Sequence, residues 1–497
     1  MVDTLKHKTI RGVKWSTIGT YFGVALQIGI VAIMGRLLGP KEYGLLAMAN
    51  VFTRFTGYFS QMGLGPALIQ RENIEETDVR ASFTLAMGLG LGFAFLTFLI
   101  APLAKIFFQN EAVVPIIRVL AIFFPLTGLS LTPISLLRRE LNFKAVALIE
   151  ILAFALGSGL VAVTCALLGL GVWSLVIGIL AQQTIIAFSS LVSVRHSLMP
   201  VFSLEAYRKC LGFGAHYSIN TFLDFMYGNI EIFLIGRVFS DKLVGLYNRG
   251  YTLASMPVQH FVTSISRVIF PAFSRLQDQN DKLAEAFVTI FVLIGLFCGA
   301  LSGGMVAAAR EIILIVLGDR WGEAVFPLQV LALAVPIQFL ISIQGILLDS
   351  LAKLNARTMA RSLGLAIKVF VLAVGIQFGF TGLLVAIPMA QACQQMIYVP
   401  FITSSIGLGA RKLLLLYSLF VADAGFIGGL TWGVTLVCRA VELPIVVILV
   451  AQVAIAGVAL LSVLNVLQRY SLFGIQKDTL QSTPLVGRLW RGRSYVY

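Results

Sequence analysis

Apolar residues in this chain gather into long runs separated by short polar segments, from near its beginning to near its end. A helix rises about 1.5 Å per residue, so a run of roughly twenty crosses the ~30 Å hydrocarbon core of a bilayer. The pattern predicts fourteen such spans, at 15–34, 43–63, 81–102, 115–137, 145–167, 173–194, 214–235, 244–265, 286–309, 326–349, 361–378, 383–404, 414–437 and 444–467. The second, seventh and eighth carry the most polar residues. One such run is also what a buried core helix looks like, but fourteen in series exclude that reading for the set.

The stretch from Gly35 to Arg71 returns in part further on. Gly35, Arg36, Lys41, Gly44 and Leu45 match Gly236, Arg237, Lys242, Gly245 and Leu246 at an offset of 201 residues without a gap. Upstream, Ile18 and Thr20 meet Ile219 and Thr221 at the same offset. A period this long indicates two similar halves and not a solenoid. With six spans each, both halves start and end on the same side of the membrane. The expected architecture is an all-α integral membrane protein of about fourteen transmembrane helices. Two parallel six-helix repeats, related by a pseudo-two-fold along the membrane normal, are joined by two extra C-terminal helices. The expected domains are an N-terminal lobe at 1–196, a cytoplasmic linker at 197–213, a second lobe at 214–404, and an accessory pair with a basic tail at 405–497.

Composition agrees. The chain is 58% hydrophobic and only 12% charged over 497 residues, where a soluble domain carries about 25% charged residues. Most of the 37 Lys and Arg fall at the two ends and in the even-numbered gaps between spans, among them Lys6, Lys8, Arg11, Lys14, Arg138, Arg139 and Lys144. Basic residues mark the cytoplasmic side, so both termini are expected there. The net charge of +14 is thereby explained without nucleic acid. The segment Lys6–Lys14 is expected along the inner membrane surface, and the first span as a retained anchor and not a signal peptide. The five cysteines form no CxxC pair and read as small packing residues.

Catalytic chemistry is not legible. The chain has no Gly-Lys dipeptide, so no Walker A loop, and its four histidines form no HExxH or Cys/His cluster. No DxD pair and no large extramembrane segment is present. An enzyme is not expected, nor a metal or other cofactor.

Charge inside the spans is the informative chemistry, because it is costly there and pairs or lines a water-filled cavity. Arg54 is mid-span in the second helix, Arg118 and Arg249 lie a few residues from the outer face, and Lys368 is seven residues into the eleventh span. These four are the candidate lumen cations. Snorkelling to an interface is the other reading for Arg118, Arg249, Glu231 and Glu150. On the seventh span Asn220, Asp224 and Glu231 are spaced four and seven apart, which puts them on one helical face. Carboxylates there would hold Na⁺ or carry H⁺, or else bridge to Arg54 or Arg249. Asp423 is mid-span in the thirteenth, with a helix–helix contact as its plainer use.

The segments GRLLGPKEYGLLAMA (35–49), GLGPALIQR (63–71), GRVFSDKLVGLYNRGYTLASMPVQ (236–259), VIFPAFSRLQ (268–277) and LGDRWGEAVFPLQVLAL (317–333) resemble the polysaccharide exporters of the multidrug/oligosaccharidyl-lipid/polysaccharide exporter superfamily. The likeness is to the branch of colanic-acid-exporter-like lipopolysaccharide biosynthesis proteins. It covers nearly the whole chain but carries over no binding residue. It implies an alternating-access flippase that moves undecaprenyl-diphosphate-linked oligosaccharide across a bacterial inner membrane for exopolysaccharide, capsule or lipopolysaccharide assembly. Membrane lipids, and a polysaccharide polymerase with its export machinery, are the implied partners. A diphosphate calls for cations in its path, and without an ATP motif an ion gradient or product consumption supplies the energy. The alternative is an ion-coupled drug/cation antiporter of the same superfamily, which would have an acidic cavity with aromatic walls.

Overall fold

The computed structural model describes residues 22–60, 68–69, 74–194, 197–202, 207 and 215–469. The basic N-terminal segment, most of the 197–213 linker and the C-terminal tail lie outside them. The described residues form helices α1 Phe22–Leu37, α2 Pro40–Ser60, α3 Glu76–Phe108, α4 Val113–Arg139, α5 Phe143–Leu167, α6 Val172–Ser193 and α7 Ala215–Val238. They continue with α8 Asp241–Arg275, α9 Asn280–Val316, a 3₁₀ turn Asp319–Ala324, α10 Val325–Ser350, α11 Leu354–Ile376, α12 Gly379–Ile406, α13 Ala410–Ala440 and α14 Ile445–Arg469.

Ten of these helices, α3–α6 and α9–α14, are long and apolar enough to cross a membrane. The other four are the first two of each sequence half. Within the described residues α1 is too short, while α2, α7 and α8 carry the polar groups that made the second, seventh and eighth spans weak. Large apolar side chains on the outer surface, such as Phe95, Ile106, Phe370, Val453 and Leu461, are exposed. A face of that composition belongs against lipid, and the chain is a multi-pass membrane protein.

Local irregularities have identifiable causes. The break in α4 after Leu120 precedes Pro125, which has no N–H for the carbonyl of Ala121 and whose ring crowds it. In α5 the stretch Phe154–Val161 widens into a π-helix, and the Ser158 hydroxyl there donates to Gln182 Oε1 of α6 at 2.6 Å.

The chain packs as two compact units, one comprising residues up to Asn248 with Val316–Trp321, the other Arg249–Ile315 with Gly322 onward. In the first unit α7 packs on α2 and α3, so the first helix of the second sequence half lies among helices of the first. The packing boundary therefore falls within α8, after the expected linker.

The first unit also holds the repeated segments. A Cβ on Gly44 would lie 1.7 Å from the carbonyl oxygen of Asp241, and one on Gly245 would lie 1.8 Å from that of Pro40. Pro40 and Asp241 are themselves 201 residues apart, so the contact is reciprocal. The preceding glycines behave alike: Gly35 lies against Leu317 beyond the end of α9, and Gly236 against the Phe108 ring at the end of α3. Arg237 donates to the carbonyls of Ile106 and Phe107 at 2.9 and 3.0 Å. These are the last, otherwise unfilled acceptors of α3, where a cation also meets the negative end of the helix dipole. Arg36 passes against Gly318. Trp321, fully buried, stacks edge-on to Tyr43 and donates its indole N–H to the Gly35 carbonyl at 2.8 Å.

In the second unit α9 and α13 cross on small residues. Gly295, Gly299 and Gly303 recur every fourth position of α9 and face Phe420, Asp423 and Ala424 of α13. Small residues at that spacing let membrane helices approach until their backbones touch.

Candidate functional site

Arg54 is exposed on α2. The neighbouring Phe55 meets Phe222 and Phe225 of α7 at centroid distances of 6.1 and 6.3 Å, which sets the turn bearing Arg54 beside the turn bearing Asp224. Asp224 is half-buried and Glu231 buried, two turns apart on the same side of α7. The side chain of Asn220 lies outside the described residues. Arg118 is on α4 with its guanidinium carbon 4.9 Å from the centroid of the Phe98 ring, a cation–π contact that satisfies the charge locally. In the second unit Arg249 is half-buried on α8. Lys368 is only 1% exposed on α11, one turn past Gly364, which packs on Gln394 of α12. Within the first unit the fold thus sets the turn of Arg54 beside that of Asp224, with Glu231 two turns further along α7, while Arg118 lies against Phe98.

A cavity of about 1000 Å³ opens within the second unit between α9, α10, α12 and α13. Its walls are mostly apolar: the glycine seam of α9, Pro336 and Leu340 of α10, and Gly425 and Gly429 of α13. Around it Leu333, Met396, Val421 and Trp432 are exposed, the side chains expected of an opening toward lipid. Two cations, Arg310 and Arg439, lie on its lining.

Arg439 is held by Glu311 of α9 in an ion pair. Glu311 is 1% exposed, while 41% of the Arg439 side chain remains accessible. The second carboxylate oxygen of Glu311 accepts from Gln452 Nε2 of α14 at 3.3 Å, and the same amide nitrogen donates to Thr435 Oγ1 at 2.7 Å. Arg310 forms no ion pair among the described residues. Further along the seam Asp423 is 4% exposed, and among the described residues neither of its carboxylate oxygens has a hydrogen-bond partner.

The cavity and the Glu311 network were not legible from the sequence. The ninth span was expected to end at 309, which put Arg310 and Glu311 in a loop. The signal lay in the apolar Ile312–Val316 run that follows them, which carries α9 on to Val316.

The family model described as polysaccharide biosynthesis protein matches residues 33–326. The chain is 25% identical to the lipopolysaccharide biosynthesis protein WzxC of Escherichia coli (strain K12) over 339 residues, 66% of this chain and 67% of that one. It is 27% identical to the succinoglycan biosynthesis transport protein ExoT of Rhizobium meliloti (strain 1021), over 67% of this chain and 68% of its own length. Among solved structures, the lipid II flippase MurJ in an inward closed conformation superposes with a TM-score of 0.70 at 13% identity, over 91% of this chain and 98% of that one. An inward-facing multidrug resistance transporter of the MATE family superposes with a TM-score of 0.59 at 15% identity, over 78% and 94%. At such identities the likeness to these two is one of fold.

Proposed function

The chain belongs to the polysaccharide biosynthesis protein family, and from that premise we propose that it is a flippase for isoprenyl-diphosphate-linked oligosaccharide. It carries units made on the inner face of a bacterial inner membrane to the outer face for assembly into a surface polysaccharide. The cavity of the second unit carries this reading: about 1000 Å³ of mostly apolar wall with Arg310 and Arg439 on its lining. An isoprenyl chain ending in a diphosphate has the same division into apolar body and anionic head, so both parts find complementary surface. A hydrophilic sugar alone would leave the walls unused, and a cationic drug would meet two arginines.

In this reading all fourteen helices cross the membrane, with both termini cytoplasmic. The reciprocal contact of Gly44 with Gly245 supports two parallel six-helix repeats, at 1–196 and 214–404, about a pseudo-two-fold along the membrane normal. The helices of 405–497 add the α13 wall of the cavity. Arg54, Arg249, Lys368 and Arg118 meet the diphosphate or acidic sugars along the path. Asn220, Asp224 and Glu231 bind the coupling Na⁺ or H⁺, for which one charge crossing 100 mV supplies about 2.3 kcal/mol. A polymerase and export machinery then take the product.

The acidic face of α7, with Asp224 half-buried and Glu231 buried, favours the second reading, an ion-coupled antiporter of drugs. Deletion in the host separates the two. The flippase reading expects isoprenyl-diphosphate-linked oligosaccharide to accumulate and the surface polysaccharide to disappear, with drug sensitivity unchanged. Increased drug sensitivity with normal surface polysaccharide would overturn it.

A further inference from the structure

The network at Glu311 holds a buried carboxylate between a guanidinium and an amide. Thr435 donates its hydroxyl to the Thr431 carbonyl at 2.8 Å, so its oxygen is left to accept. The Glu311 carboxylate accepts as well. Gln452 therefore has to turn its amide nitrogen toward both. That orientation leaves Gln452 Oε1 buried and without a donor among the described residues, in a side chain only 1% exposed. A buried acceptor with no donor is unfavourable, and Glu311, which as a carboxylate accepts from the amide nitrogen, could donate to the amide oxygen once it carries a proton and the amide has turned over.

The other half of the network faces the cavity. Arg439 is shared between buried Glu311 and the cavity lining, where Arg310 adds a second cation. We propose that Glu311 is a proton site whose protonation is exchanged against a phosphate-class anion at Arg439 and Arg310, so that binding of a diphosphate head there draws in a proton. The guanidinium of Arg439 turns from the carboxylate to the phosphate oxygens. Glu311 would then be a buried charge without its cation, which is strongly unfavourable. It takes one proton from solution, and its new O–H donates to Gln452 Oε1 after the amide rotates. No covalent bond forms or breaks, and the arginine stays charged throughout.

The charged neighbours are few. Arg310 precedes Glu311 on α9, Arg439 comes from α13, and α14 and α10 present the neutral Gln452 and Gln329. The next carboxyl on this seam, Asp423, sits beside Gly299, twelve residues and so about 18 Å back along α9. This site is separate from the carboxylates of α7. It deepens the flippase reading by placing proton coupling where the lipid head meets the accessory helices, and in naming that ligand it rests on that reading.

The test is calorimetric titration of the full-length protein in lipid nanodiscs with geranylgeranyl diphosphate, near pH 7.5, in buffers of high and low ionisation enthalpy. The wild type should take up about one proton more per ligand than Glu311→Gln. Glu311→Gln should bind at least as tightly, because Arg439 has lost its competing anion. Arg439→Gln should bind at least about tenfold more weakly. Arg439→Lys keeps a cation for Glu311 and should weaken binding by less, which covers the case in which Arg439→Gln does not fold. Equal proton uptake by wild type and Glu311→Gln would overturn the exchange, as would unchanged affinity in both Arg439 variants. Inorganic diphosphate should bind more weakly than the isoprenyl form; equal affinity would assign the site to a free anion and overturn its lipid part. Binding with proton uptake in a protein that flips no lipid-linked sugar would support the exchange and refute the flippase reading.

Discussion

Gly44 and Gly245 stand at the same place in the two sequence halves, and each lies against the backbone at the start of the helix that carries the other. Neither position has room for a Cβ. The same contact is made twice with its partners exchanged, which is the arrangement that the proposed pair of repeats about a two-fold axis requires.

The crossing should therefore be intolerant of a single methyl group. Gly44→Ala and Gly245→Ala each force backbone apart, and each should lower stability by about 1–3 kcal/mol or prevent folding. Gly88→Ala, in α3 with nothing within 4 Å of its Cβ position, should be neutral or stabilising by up to about 1 kcal/mol. Thermal unfolding of the purified protein in detergent checks all three. Equal melting of Gly44→Ala and Gly88→Ala would contradict the packing.

The Glu311–Arg439 pair gives a second prediction. Arg439→Leu strands a carboxylate that is 1% exposed, and removal of one partner of a buried pair costs about 3–5 kcal/mol. The double change Glu311→Leu with Arg439→Leu should recover most of that loss, because no charge is left buried. Unfolding of the two single variants and the double variant measures the coupling. Simple additivity would mean that the pair contributes nothing in the folded protein.

Much of the fold could be read from the sequence, and the limits of that reading are physical. Helices such as α6, expected at 173–194 and found at Val172–Ser193, follow from apolar run length alone. The ends of α9 and α13 ran past expectation because Arg310, Glu311 and Arg439 look like loop residues one at a time. Glu311 and Arg439 become tolerable inside their helices because each pairs with the other, 128 residues away, while Arg310 keeps its charge on the cavity lining. No local pattern encodes such a partner. The same holds for the cavity, which arises where four helices meet, and for Lys368, whose burial depends on α12. The repeat was legible as spacing, but what its glycines do appeared only as distances between backbones.

Orientation is open to direct labelling. In a background without reactive cysteines, single cysteines at Lys41, Lys242 and Arg320, all exposed, should react with an impermeant thiol reagent added outside the cell. Those at Arg138, Lys353 and Asp278, exposed as well, should react only after the membrane is opened. The basis is the excess of basic residues on the second set of loops. Equal labelling of both sets would refute the orientation with both termini inside.

The central claim, that the chain flips an isoprenyl-diphosphate-linked oligosaccharide through use of the cavity in its second unit, is tested most directly in reconstituted vesicles. Such vesicles carry the lipid-linked oligosaccharide in both leaflets, and an impermeant glycosidase added outside digests what it can reach. Wild-type protein should render nearly all of the lipid accessible, while protein-free vesicles should protect the inner-leaflet share. Gly429→Phe, at a cavity position with nothing within 4 Å of its Cβ, should fold normally and slow the flip at least about tenfold, since a phenyl ring occupies space the isoprenyl chain needs. Protection in wild-type vesicles equal to that in protein-free ones would contradict the transport claim. Undiminished flipping by well-folded Gly429→Phe would contradict the role of the cavity.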